Sequence, residues 1–330
     1  MTRPNLPASR APYTVAMPTA EPLPIVFDSP HSGMELPDDF GTIAPRDAIL
    51  TSWDAFVDEL WSGVPARGGA LISAHFPRAY IDPNRAVTDI DAELLAEPWP
   101  EPLSPQPYTQ RGMGLIRRYA LPGIPLYDRK LSVAEVRRRI DAYYLPYRAA
   151  LLQAGESAWE RHGALWHVDC HSMKSFGNAM NVDAGRTRPD LVVSDRRGTC
   201  ADPAFTQWVS GHFTAAGYRV QVNEPYQGGD LLRAMGNPAR RRHSIQIELN
   251  RALEKLEARR FATEEIGAVS EQREIDPAER RLEVREGEIR IRLPPLALRV
   301  RLSPPLEAIE STHVLLHVGS RQRVARCARR

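Results

Sequence analysis

The chain has 330 residues, 42% hydrophobic and 25% charged, and a formal net charge of +2. That balance excludes the global electrostatic signature of a nucleic-acid or anionic-membrane binder, and no apolar run reaches the roughly 18 residues of a membrane span. Three cysteines, Cys170, Cys200 and Cys327, make neither a CxxC pair nor a regular framework, which fits a reducing, cytoplasmic compartment. Lysine occurs only at 130, 174 and 255. The many arginines are scattered among acids and read as codon bias.

Residues 1–21 are proline-rich, lack the apolar core of a secretion signal and read as a loosely ordered lead-in. "PIVF" (24–27) is a short buried-strand pattern bounded by prolines. "RDAILTSWDAFVDELWSGV" (46–64) predicts one helix, because Ile49, Trp53, Phe56, Val57 and Leu60 recur at helical spacing. "ALISAHF" (70–76) predicts a second strand. Prolines 98, 100, 102, 105 and 107 make 97–107 a loop, long enough to suggest function.

The longest helical pattern runs from Ser132 to about His162. "SVAE" (132–135) is a capping box, Ile140, Tyr144, Tyr147 and Leu151 form an apolar stripe, and Pro146 predicts a kink. Strands follow at "ALWHVDC" (164–170), "LVVSD" (191–195), "YRVQVNE" (218–224) and "SIQIEL" (244–249). Between them "DPAFTQWVSGHFTAAG" (202–217) predicts a helix capped by Asp202 with Pro203 at its first position, and another helix is expected over 251–260. Alternating strands and helices predict an α/β fold with a largely parallel sheet. Ligands of such sheets bind beyond the carboxyl ends of the strands.

Three predicted strands end in chemically useful residues: Asp28 and His31, Asp169 and His171, and Glu248. Either histidine alone is better read as an ordinary loop residue. Two on strand ends of one sheet, with acids nearby, point to zinc. Asp169, two residues before His171, is placed to orient it. Pro30 fixes the turn that presents His31, and Ser32-Gly33 leave room for substrate. The third ligand stays open among Asp54, Asp58 and Glu35. Asp54 and Asp58 are four apart on one predicted helix face, where solvent exposure or capping is the bland alternative. The remaining histidines, 75, 162, 167, 212, 243, 313 and 317, read as structural or surface residues. In "YIDPNR" (80–85), Asn84 and Arg85 follow a short strand, and an arginine fork suits a carboxylate. A local pair with Asp82 or Asp89 is the structural alternative for Arg85. Gly228 and Gly229 in "PYQGGD" permit close backbone approach or a plain turn. Glu248 inside an apolar strand is costly unless paired or useful, and a partly desolvated Glu suits a general base.

"PHSG", "DPNR", "RGMGLIRR", "LYDRKLS", "DCHSM", "SDRRGTCADP", "NEPYQGG" and "HSIQIELNR" occur in this order over about residues 22–260. In that sequence they resemble the N-formylglutamate amidohydrolase family, itself distantly similar to zinc carboxypeptidases. The resemblance implies one three-layer catalytic domain (22–262) with a mostly parallel mixed sheet of phosphorylase/hydrolase-like type, and leaves 263–330 as an unassigned tail. It implies one zinc ion per chain, or another divalent metal, on His31, Asp54 and His171, with Asp58 as the rival acid. Glu248 matches the catalytic glutamate, and Asn84 and Arg85 match a substrate-carboxylate clamp. A second cation, Arg111 or Arg117, would meet the other carboxylate.

The implied reaction is hydrolysis of N-formyl-L-glutamate to formate and L-glutamate, a step of histidine degradation. Alternatives are deacylation of another N-acyl amino acid, or a non-catalytic ligand-binding relative. The implied partner is a small molecule, neither nucleic acid nor membrane. Two places depart from the family pattern: Asp230 stands where an aromatic or apolar residue is usual, and "EKLEARR" follows "ELNRAL". In the tail, "LEVREGEIRIRL" (282–293) predicts a hairpin turning at Glu286-Gly287, and the Arg-rich end "GSRQRVARCARR" reads as disordered.

Overall fold

β-branched and aliphatic runs too short for a helix become the strands of this molecule, and their alternation decides what each face of the sheet carries. A computed structural model describes residues 11–253 in full, plus the backbone of four strands further on. The strands of the first part are β1 (Tyr13–Ala16), β2 (Ile25–Ser29), β3 (Ala70–Ala74), β4 (Tyr119–Leu121), β5 (Ile124–Pro125), β6 (Leu165–Met173), β7 (Leu191–Ser194), β8 (Val220–Val222) and β9 (Arg242–Asn250). All but the small β4–β5 hairpin form one seven-stranded sheet in the order β1-β3-β2-β6-β9-β7-β8. The central run β3-β2-β6-β9 is parallel. β1 is antiparallel to β3, and β7 is antiparallel to β9. The expected mixed, mostly parallel sheet is therefore present. The lead-in expectation needs correction for part of its length, because Tyr13–Ala16 pairs with β3 as an edge strand; residues 1–10 lie outside the described residues.

The helices are α1 (Arg46–Leu50), α2 (Val57–Leu60), α3 (Pro107–Gln110), α4 (Val133–Arg139), α5 (Leu145–His162), α6 (Pro203–Ala215) and α7 (Asp230–Met235). One face of the sheet packs Val26, Ala70 and Ile72 against Ile49 of α1, Val136 of α4, Tyr147 and Leu151 of α5, and Leu231 and Met235 of α7. The other packs Phe27, Val168, Cys170, Ile245 and Ile247 against Val57 and Leu60 of α2 and Val209 and Phe213 of α6. These are the three layers.

Two helix expectations change. The single helix over 46–64 is two short ones, interrupted where Phe56 adopts a left-handed φ of 61°. The helix from Ser132 is capped as predicted, Ser132 Oγ accepting from the Glu135 amide. The other half of the capping box does not form, because the Glu135 carboxylate accepts from Arg129 and Arg139. Before Pro146 the helix widens to a π-turn (Ile140–Tyr144), which accommodates a residue with no amide proton to give.

Asp230, unusual for the family pattern, opens α7 and pairs with Arg148 of α5 at 2.9 Å. Beyond residue 253, Leu282–Arg285, Glu288–Leu293, Leu296–Leu302 and Val314–Val318 form a four-stranded antiparallel sheet in sequence order. The first two pair with Arg285 opposite Glu288, the register of the expected hairpin. Of the helix expected over 251–260, residues 251–253 are a turn; its remainder, the hairpin turn at 286–287, Cys327 and the Arg-rich end lie outside the described residues. No helix among the described residues is long and apolar enough to cross a membrane.

Candidate active site

Register brings the polar residues of the central strands into rows. On β6 the side chains of His167, Asp169 and His171 share one face, and on β9 those of Ser244, Gln246 and Glu248 do the same. Backbone pairing sets His167 beside Ser244, Asp169 beside Gln246, and His171 beside Glu248, while Asp28 of β2 flanks Asp169. Asp28, His167, Asp169, His171, Ser244, Gln246 and Glu248 are all buried. A column this polar inside a sheet is stable only if its members satisfy one another or a ligand.

The lower rows are satisfied internally. His167 bonds to Asp28 Oδ1 at 2.9 Å and Ser244 Oγ at 2.7 Å, and Tyr147 donates to Asp28 Oδ2 at 2.7 Å. His167 is thus structural, as expected, although it shares the face of His171.

The upper row opens toward other segments. After β2, the chain turns at Pro30 and places His31 Nδ1 3.0 Å from His171 Nδ1. The turn needs Gly33 for a reason other than substrate room: a Cβ there would stand 2.1 Å from the carbonyl carbon of His75. Asp54 arrives from the break between α1 and α2, its amide donating to the His31 carbonyl at 3.1 Å. Its Oδ2 lies 3.0 Å from His171 Nδ1 and 3.5 Å from His31 Nδ1. Its Oδ1 accepts from Arg251 at 2.9 Å. Asp58 and Glu35 instead line a separate depression with Glu59 and His75. The helix break is what separates Asp54 from Asp58.

The far nitrogens of both imidazoles face carboxylates. His31 Nε2 is 2.7 Å from Asp82 Oδ1, and His171 Nε2 is 2.7 Å from Asp169 Oδ1. With the Nε2 protons directed at those acids, both Nδ1 lone pairs turn toward Asp54. Two imidazole lone pairs and a carboxylate oxygen at such separations are favourable only around positive charge. Tetrahedral ligands at zinc bond lengths stand about 3.3 Å apart, close to the spacings found here. The donor set therefore fits a divalent cation such as zinc.

Burial opposes charge on Asp54, but its contacts with the His171 and His31 imidazoles, and then the Arg251 charge, outweigh it and hold the carboxyl well below its ordinary range. Burial likewise opposes the charging of His171, and the Asp169 carboxylate more than offsets this, raising it well above normal. For Glu248 burial wins, and its carboxyl is pushed up to about 7.

A cavity of about 600 Å³ opens over this row. His31, Asp54, His171, Glu248, Asn84, Arg85, Arg117, Gly228 and Gly229 line it, together with Arg78, Tyr108, Arg188, Tyr226 and Gln246. The proline-rich segment contributes Ser104, Gln106 and Pro107 to the wall.

Arg85 reaches the cavity with its Nε donating to the Met113 carbonyl at 3.1 Å and its guanidinium over the Tyr108 ring at 4.7 Å. Asn84 is engaged with the protein at both ends. Its Nδ2 donates to Asp169 Oδ2 at 2.8 Å and its Oδ1 accepts from the Leu231 amide at 2.9 Å. A Cβ on Gly229 would sit 2.1 Å from that Oδ1, so Gly229 makes room for Asn84. Arg111 is not among the residues that line the cavity, whereas Arg117 is.

Arg117 contrasts with Arg139. Both are buried. Arg139 binds Glu135, the Tyr127 hydroxyl and two backbone carbonyls. Arg117 makes no side-chain hydrogen bond or ion pair among the described residues, and its Nε, like that of Arg139, is buried without a partner. Burial, then repulsion from Arg78, lowers its basicity to about 9. A buried guanidinium in that state is suited to an anion arriving in the cavity.

Sequence reasoning missed Arg78, Asp82, Gln246 and Arg251 as parts of the site. Asp82 was visible only as a local partner for Arg85. In the structure it accepts from Arg78 at 2.7 Å and serves His31.

The sheet order, with histidines and acids gathered at the ends of its central strands under a polar cavity, defines a three-layer α/β protein with a site for a small ligand. Comparison with known proteins narrows this. The family model for N-formylglutamate amidohydrolase matches residues 23–254. The chain belongs to that family. A crystal structure of N-formylglutamate amidohydrolase from Ralstonia eutropha JMP134 superposes with a TM-score of 0.71 at 45% identity, covering 77% of this chain and 93% of that one. N-formylglutamate deformylase of Pseudomonas putida is 26% identical over 236 residues, 69% of this chain and 80% of the relative. Its Pseudomonas aeruginosa counterpart is 27% identical over 234 residues, with the same coverage. A gene product of Agrobacterium tumefaciens shares the fold, with a TM-score of 0.55 at 18% identity, over 78% of this chain and 92% of that one.

Proposed function

We propose that the protein hydrolyses the formyl amide of N-formyl-L-glutamate, releasing formate and L-glutamate, with a zinc ion on His31, Asp54 and His171. The observation that carries this reading is the convergence of those three donors beside a buried Glu248. The names of the Pseudomonas and Ralstonia relatives support this substrate.

When bound, zinc would supply a Lewis acid for the formyl oxygen and bring the pKa of its water to about 7. Asp82 and Asp169 hold the two imidazoles in the tautomer that presents Nδ1. Glu248 takes a proton from the attacking water and returns it to the amine nitrogen as the C–N bond breaks. A carboxyl raised to about 7 by burial is matched to both halves of that transfer at neutral pH. Arg85 receives one carboxylate of the substrate and Arg117 the other. Two cations assigned to the carboxylates of the substrate favour a dicarboxylate over an N-formyl amino acid with a neutral side chain.

The test is a panel of N-formyl and N-acetyl amino acids assayed with the full-length protein. N-formyl-L-glutamate should give the highest kcat/KM. A higher value for N-formyl-L-methionine or N-acetyl-L-glutamate would replace this reading with a deacylase of another specificity.

A further inference from the structure

Two side-chain amides stand between the start of α7 and the charged row of the site. Asn84 Oδ1 accepts from the Leu231 amide at 2.9 Å, and its Nδ2 donates to Asp169 Oδ2 at 2.8 Å. Gln246 Oε1 accepts from the Gly229 amide at 3.1 Å, and its Nε2 donates to Glu248 Oε1 at 2.9 Å. In each the backbone N–H fixes which end of the amide is oxygen, so the NH₂ end is the one that meets a carboxylate; that of Asn84 also lies 3.1 Å from His171 Nε2 and 3.5 Å from Gln246 Oε1. The two relays are parallel but end differently. One reaches Asp169, which faces His171. The other reaches Glu248.

We infer that Gln246 is a positioning residue for Glu248, holding the carboxylate in its working orientation from the Gly228–Gly229 turn, while Asn84 does the same for the Asp169–His171 pair. The inference rests on the proposed role of Glu248. Two features support it. Gln246 is 4% exposed and its donor and acceptor ends are both engaged within the site. Its partner Gly229 lies against Asn84 so closely that no side chain fits there, so one backbone segment registers both amides. The relay also gives Glu248 a directed N–H that a bulk solvent contact could not supply in a buried place. A hydrogen bond to a charged group is a strong one, and small misplacement of a reacting group is expensive.

The experiment uses full-length zinc-loaded protein and three variants. Gln246→Glu keeps the shape and the acceptor for Gly229 but loses the N–H toward Glu248. Gln246→Met loses both ends. Asn84→Leu cuts the other relay. Both Gln246 variants should lower kcat about 10- to 100-fold, change KM less than about threefold, shift the acid limb of the pH profile upward and retain zinc as wild type does. Asn84→Leu should weaken zinc binding about 10- to 100-fold, read by competition with a chromogenic chelator and independent of turnover. Gln246 variants with wild-type kcat and an unmoved acid limb would overturn the assignment, as would loss of zinc or of thermal stability in both. If wild type itself fails to hydrolyse N-formyl-L-glutamate, the proposed function fails, and the zinc affinity of Asn84→Leu still decides the second relay.

Discussion

The two faces of the central strands are built from the same backbone and hold opposite contents. On β6 and β9, Val168, Cys170, Ile245 and Ile247 point into an apolar layer under α2 and α6. One residue along each strand, Asp169, His171, Gln246 and Glu248 point to the other side and are buried just as well. The apolar face could be filled by many sequences of the right volume. The polar face is tolerable only because each group has a designated partner, and its unsatisfied remainder is where a ligand belongs. Burial of polar groups marks function here more sharply than the cavity does.

Variants on the polar face should lose chemistry and keep the fold. Glu248→Gln should cost about 10²- to 10⁴-fold in kcat, the range for removing a general acid–base group, with zinc content unchanged. Its wild-type counterpart should show an acid limb in kcat/KM between the ordinary carboxyl value and about 7, the value burial gives Glu248. The base is protonated below that limb, so activity rises with pH through it, and cation occupancy of the triad moves it toward the lower end. A limb that persists unchanged in Glu248→Gln would assign it to another group.

Arg117→Met separates the faces differently. It should raise KM for N-formyl-L-glutamate about 10- to 150-fold, the value of a lost hydrogen-bonded charge pair, and leave N-formyl-L-methionine nearly unaffected. The same change should stabilise the substrate-free protein by about 1 kcal/mol or more, since it removes a buried cation without a designated carboxylate. Calorimetry and substrate kinetics on one preparation check both halves. A destabilised variant would mean Arg117 is structural, as Arg139 is.

On the apolar face the pattern should invert. Ile245→Ala should cost about 2–5 kcal/mol in denaturant unfolding, with kcat/KM of the folded protein within about threefold of wild type. Smallest of all, Asp58→Asn should leave zinc affinity and turnover within about twofold, because Asp58 lines the separate depression. An effect on zinc comparable to that of Asp54→Asn would return Asp58 to the site.

The legible part of the site was the part written at strand ends. His31, His171 and Glu248 each follow or sit in a strand pattern, and strand register then set two of them side by side. Asp54 was legible only as one of three candidate acids, because helical spacing predicts a continuous helix, and the left-handed Phe56 that breaks it leaves no mark in apolar periodicity. Asn84 looked like a clamp because its local motif is all that sequence displays. Its Leu231 partner lies 147 residues away. The Asp54–Arg251 pair spans 197 residues. Long-range pairings of this kind decide which polar residues are engaged with the protein and which remain for a ligand. β1 escaped notice for a related reason: four residues amid prolines carry almost no pattern, and β3 supplies the partner that makes them a strand.

The central claim, zinc-dependent deformylation at the polar face, is tested most directly by formate release from N-formyl-L-glutamate. Full-length protein would be assayed as purified, after stripping with a chelator, and after return of stoichiometric zinc. The account predicts loss of activity on stripping and recovery that saturates as the triad fills. Full turnover by the stripped protein, or no formate from the zinc-loaded one, would contradict it.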